Sequence, residues 1–155
     1  MARRVFQAVR WLLLGVTVLA IWTHPALGHA SLVSAEPSRG ATVTSALEEV
    51  VLTFSEPVEA RVSIVKVYPL AAAPAADLAA EAAALVNRVL TKRGDEDARA
   101  DAGVQAADGP NRTVRIRLKD GLEPGPYVVM WRVLSVDTHV VQGHYVFVLD
   151  PAASD

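Results

Sequence analysis

The chain contains no cysteine. A protein exported to an oxidising compartment would therefore have no disulfide to hold it, and a metal site here would have no thiolate. Methionine is almost as scarce, at Met1 and Met130 only, which excludes the thioether clusters that favour Cu(I). Aromatic residues make up 6% of the chain and no basic stretch follows the N-terminus, so nothing invites nucleic acid. Only one long hydrophobic run is present. Residues 1–10 carry three arginines and no acid, and WLLLGVTVLAIW (residues 11–22) is uncharged until Thr23, His24 and Pro25 break it. Twelve residues fall short of the roughly 20 that span a bilayer, so the run reads as the apolar segment of a signal peptide. Ala26-Leu27-Gly28 supplies the small residues that signal peptidase needs, which places the cut before His29. Cutting after Ala30 instead would leave a histidine inside the recognition stretch.

Removing residues 1–28 leaves 127 residues, enough for one domain with a sizeable core, and takes the net charge from −2 to −5. The expected domain runs over 29–150, with 151–155 as a tail. EEVVLTFS (48–55) alternates Val50, Leu52 and Phe54 on one face, the period of a half-buried strand. Residues 60–68, 113–118, 127–134 and 144–149 read likewise, with turn chemistry at Glu36-Pro37-Ser38-Arg39-Gly40, Lys119-Asp120-Gly121 and Glu123-Pro124-Gly125-Pro126. In 60–68 both faces carry apolar residues, so both look covered. The pattern predicts an all-β protein, an antiparallel β-sandwich. Tyr127, Trp131 and Phe147 belong to its core.

The exception is 70–110, an alanine-rich and then acidic insertion. Pro74 and Asp77 can open a helix over 75–93, Lys92, Arg93 and Gly94 can close it, and Leu78, Ala82, Leu85 and Val89 form one apolar stripe to lay on the sandwich. Residues 94–110, with five acids and one arginine among small residues, read as a flexible solvated loop.

Three histidines remain after cleavage: His29, His139 and His144. A histidine at a free chain end can chelate a metal through both its α-amine and its imidazole, groups that titrate near about 8 and about 6.5. Cu(II), at the top of the divalent affinity order, displaces both protons most readily and prefers tetragonal nitrogen and oxygen ligands. In Ser135-Val136-Asp137-Thr138-His139, residues two apart on extended backbone share a side, so Asp137 and His139 can converge on one ion. With His29 they would supply three nitrogens and one oxygen. Alternatively, Asp137 orients His139 by a hydrogen bond without any metal. His144 lies an odd number of residues from His139, on the opposite face of a continuous strand.

HASLVSAEP (29–37), LTFSEPV (52–58) and YVVMWRVLSVDTHVVQG (127–143) together resemble the CopC family of exported, periplasmic copper-binding proteins, in order and at both ends of the mature chain. The resemblance implies a Greek-key β-sandwich that binds one Cu(II) per chain through His29, Asp137 and His139, with Glu56 close behind the ligands. It implies a role in copper sequestration, resistance or delivery, with a separate CopD-like membrane transporter as partner, and no enzymatic activity. Family members with a second site add a methionine-rich Cu(I) loop, a pattern from which this chain departs. Two other readings compete: a copper monooxygenase built on an N-terminal histidine brace, as in lytic polysaccharide monooxygenases, and an exported β-sandwich interaction module that binds no metal. In the first of these, Asp137 would fill a position that oxygen chemistry needs open.

Overall fold

The computed structural model describes residues 30–71, 74–105 and 107–153. The leader and His29 lie outside the described residues. Among the described residues, eight strands and one α-helix follow in the order β1 (Leu32–Glu36), β2 (Thr42–Val43), β3 (Glu49–Val58), β4 (Ile64–Pro69), α1 (Ala75–Val89), β5 (Asp101–Val104), β6 (Asn111–Leu118), β7 (Gly125–Leu134) and β8 (Val140–Leu149). They form two four-stranded sheets, ordered β1-β3-β6-β5 and β2-β8-β7-β4. All neighbours pair antiparallel except β2, which runs parallel to β8.

The alternation seen in the sequence decides which side chains meet between the sheets. Val50, Leu52 and Phe54 of β3, Val114, Ile116 and Leu118 of β6, and Tyr127, Val129, Trp131 and Val133 of β7 are all buried in one cluster with Tyr145, Phe147 and Leu149 of β8. The Tyr127 and Phe147 rings stack with centroids 5.5 Å apart, and Phe54 meets Trp131 edge-on at 6.3 Å. Gly143, opposite Trp131, makes room for the indole: a Cβ there would lie 2.5 Å from Trp131 Cζ2.

The outer face of the second sheet carries α1. Ala82, Val89 and Leu90 are buried against Tyr68, Val128 and Met130, with Leu85 and Val86 packed beside them, so the apolar stripe lies where its spacing places it. The helix ends at Val89 rather than Arg93, and Lys92 and Arg93 fall in the turn beyond it.

Beyond α1 the composition misleads. Residues 94–110 include a 3-10 turn (Glu96–Ala98) and the strand β5, and two of their acids, Asp95 and Asp101, are buried rather than solvated. Lys66, also buried, donates to Asp95 Oδ2 at 2.6 Å and to the carbonyls of Val89 (2.8 Å) and Lys92 (2.6 Å), so it ties the last helical residue and the turn after it to β4. Tyr68 OH donates to the same Asp95 oxygen at 2.6 Å, Arg99 stands 3.5 Å from the other, and Asp101 accepts from the Val67 backbone N–H. Burial opposes ionisation of Asp95. Hydrogen bonds from Lys66 and Tyr68, with the charges of Lys66 and Arg99, outweigh it and hold the carboxyl below its usual range. Burial dominates at Asp101 and raises its carboxyl. A lysine and an aspartate 29 residues apart thus rivet α1 and the chain after it to β4.

Candidate metal centre

Two of the candidate ligands, Asp137 and His139, lie where β7 turns into β8. Thr138 N–H donates to the Ser135 carbonyl (2.9 Å) and Ser135 N–H to the His139 carbonyl (2.9 Å), a three-residue hairpin loop whose last residue sits in the left-handed region. That residue is Thr138, at φ 71° and the one non-glycine with positive φ among the described residues. A β-branched residue there is strained, because its Cβ crowds the following carbonyl.

The turn, rather than extended backbone, brings the D-x-H pair together. Asp137 Oδ1 accepts the His139 backbone N–H at 3.0 Å, closing the loop as an Asx turn, and Oδ2 lies 3.1 Å from His139 Nδ1. The Asp137 side chain is only 11% exposed while His139 is 60% exposed, so the imidazole faces solvent over an anchored carboxylate. The donated His139 N–H holds the Asp137 carboxyl below its usual range, partial burial works the other way, and the Ser135 hydroxyl and His139 side chain add to the lowering.

Beneath the pair, buried Ser135 donates to Glu56 Oε2 at 3.4 Å. Glu56 is held there because β3 runs on to touch the hairpin: Val58 bridges Ser135, Val136 N–H donates to the Pro57 carbonyl and Glu59 N–H to that of Leu134. The chain start converges on the same strand end. Ser55 N–H donates to the Ser31 carbonyl (2.8 Å), Ser31 N–H to Ser55 Oγ (2.9 Å), and Ala30 is fully buried in the inter-sheet core. Ser31, Ser55, Glu56, Ser135, Asp137 and His139 therefore form one contiguous run.

Of the residues singled out in the sequence, Glu56, Asp137 and His139 fall within that run, while His29, next to Ala30, lies outside the described residues. His144 stands on the helix-covered face opposite Met130, about 16 Å of strand beyond His139, and lines a cleft with Leu78 and Ala82. Ser135, the link between the two acids, was not singled out; its signal was a serine two residues before the aspartate, at the end of an inward-facing alternation. Among the described residues, no three or more His, Asp or Glu side chains form a ready metal-binding group. Nor is any helix among them long and apolar enough to cross a membrane.

Comparison with known proteins agrees with this architecture. The CopC domain family matches residues 32–150. Protein YobA of Escherichia coli K12 is 29% identical over 146 residues, covering 94% of each chain, and YobA of Shigella flexneri matches to the same extent. Among solved structures, CopC from Methylosinus trichosporium OB3b superposes with a TM-score of 0.57 at 25% identity, covering 82% of this chain and 99% of that one. PcoC from Escherichia coli, a methionine-rich copper resistance protein, shares the fold with a TM-score of 0.56 at 24% identity, covering 79% of this chain and 100% of its own. With its two-sheet sandwich and a family match across nearly all of the described residues, this chain belongs to the CopC family.

Proposed function

We propose that this protein is an exported copper carrier that holds one Cu(II) through the α-amine and imidazole of His29, the Asp137 carboxylate and the His139 imidazole. The observation that carries the reading is the 3.1 Å separation of Asp137 Oδ2 and His139 Nδ1. Two ligands about 2.0 Å from one divalent ion and 3.1 Å apart subtend about 100°, close to the right angle of neighbouring in-plane ligands. Family membership supports copper as the cargo. The anchoring of Ala30 and Ser31 beside Ser55 supports His29 as the remaining ligand, since adjacent Cα atoms are about 3.8 Å apart.

Glu56, hydrogen-bonded to Ser135, would add negative charge behind the ligands and favour the doubly charged ion. Met130 is fully buried under α1, so no thioether among the described residues offers Cu(I) a site. Reduction would then loosen the ion, a means of handing it to a separate membrane transporter. Exposed Val136 and Val140 flank His139 and give such a partner an apolar rim.

The same 3.1 Å contact favours a second ligand arrangement, in which Nδ1–H of His139 donates to Asp137 and Nε2 binds the ion, the carboxylate orienting the ring. Electron paramagnetic resonance of Asp137→Asn separates the two. An altered in-plane ligand field and much weaker binding mean direct ligation, whereas a preserved spectrum with about ten- to a hundredfold weaker binding means orientation. Copper bound equally well by His139→Ala would remove the site from this hairpin altogether.

A further inference from the structure

On the far side of α1 from its N-terminus, the chain's charge is distributed very unevenly. A cleft of about 640 Å3 opens between the turn after α1, the start of β4, the end of β5 and Arg132 of β7. Six of the chain's fifteen lysines and arginines line it, namely Arg61, Lys66, Lys92, Arg93, Arg99 and Arg132, against two of its seventeen acids, Asp95 and Glu96. The protein as a whole is negative. Such a concentration of one sign in a concave wall raises the local concentration of counter-ions.

The acids present are already committed. Asp95 is held by Lys66 and Tyr68 and faced by Arg99, and Glu96 pairs with Arg99 at 3.0 Å. That accounts for two of the six cations. Of the other four, Arg61 has one loose contact, 3.7 Å from the fully exposed Asp108, and among the described residues Lys92, Arg93 and Arg132 form no salt bridge. Arg132 projects on the outer face of β7, opposite Ile64, and Lys92 and Arg93 sit in the turn after α1. Three guanidinium forks and an ammonium around one hollow match a tetrahedral oxyanion of two or more charges better than a monocarboxylate, which would leave most of them unpaired.

We propose that this cleft binds a phosphate-class polyanion through Arg61, Lys92, Arg93 and Arg132. It lies along the β4 edge of the second sheet, where Gly103 and Val104 of β5 also line it, and the proposal does not depend on the copper reading. The ion could be free in solution or be the headgroup of an anionic phospholipid, and the test separates these sources.

Metal-free protein is titrated with inorganic pyrophosphate and followed by backbone amide shifts, and in parallel is sedimented with phosphatidylcholine vesicles with and without phosphatidylglycerol. Arg93→Glu/Arg132→Glu is compared with Arg112→Glu/Arg117→Glu, an equal charge reversal on exposed β6 residues outside the cleft. The expected result is saturable pyrophosphate binding centred on residues 91–93 and 132, weakened at least about tenfold in the cleft variant and little changed in the other, as loss of charge-assisted hydrogen bonds requires. Vesicle binding that needs phosphatidylglycerol and is lost in the cleft variant, without pyrophosphate binding, assigns the site to the lipid headgroup. No binding to either probe, or equal weakening by both reversals, overturns the proposal.

Discussion

Two clusters of ionisable side chains, each built around an aspartate and a nitrogen base, differ in their exposure and in what holds them. Asp137 and His139 stand at a hairpin tip, two residues apart, with the imidazole in solvent. Lys66 and Asp95 lie under the end of α1, 29 residues apart, with side chains 5% and 2% exposed. In the first cluster a local turn sets the geometry and the His139 side chain is 60% exposed, so an ion in solution can reach it. In the second, three acceptors surround the ammonium and three donors face the carboxylate, so the cluster is occupied with holding the fold. An ionisable pair points to chemistry when one partner is left exposed, and to architecture when both are enclosed.

The largest effect on stability should come from breaking the enclosed cluster. Lys66→Ala leaves Asp95 buried without its main counter-charge and is expected to cost about 3–5 kcal/mol in urea denaturation. A loss no larger than a surface substitution would make the two clusters equivalent.

Acid should act through the same group. The Asp95 carboxyl is lowered in the fold, so the unfolded chain binds its proton more readily. Its stabilisation is complete above the unfolded carboxyl value near about 4 and is lost as pH falls below it. Asp101, raised by burial, opposes this in part. Urea midpoints between neutral and acid pH should show a shallower acid limb in Asp95→Asn than in the parent.

At the hairpin the effects on stability are smaller. Asp137→Ala removes the bond that closes the turn and should cost about 1 kcal/mol, far less than Lys66→Ala, while weakening copper binding severely. Smallest of all, Thr138→Asn puts a residue that tolerates the left-handed region at φ 71° and should raise stability by a few tenths to about 1 kcal/mol in thermal unfolding. A loss there would mean that the threonine is held for some other contact.

The same contrast explains what the sequence disclosed. Strands β3, β6, β7 and most of β8 were legible because each buries one face between the sheets and alternates accordingly. The stripe of α1 was legible for the same reason. Strand β5 was not: three of the four residues in Asp-Ala-Gly-Val are disfavoured in strands, and its identity comes from pairing with β6. Residues 60–62, read as strand, form a 3-10 turn before β4 begins. Burial of Asp95 and Asp101 was hidden because their partners are far away in the chain. The available hint was Lys66 within IVKVY, a strand apolar on both faces, where a lysine needs an acceptor. At the site, the short D-x-H spacing was legible, although the structure joins the pair through a turn rather than along a strand. Ser135 and Glu56 meet only because β3 and the hairpin touch, a long-range contact that spacing does not encode.

The most direct test of the copper reading bears on the residue beside Ala30. Cu(II) affinity is measured by chelator competition for protein beginning at a native His29 and for the same protein with one glycine placed before it. One tight tetragonal Cu(II) per chain is expected in the first and a sharp loss in the second, because the extension moves the α-amine out of the chelate. Equal affinity in the two proteins would contradict it.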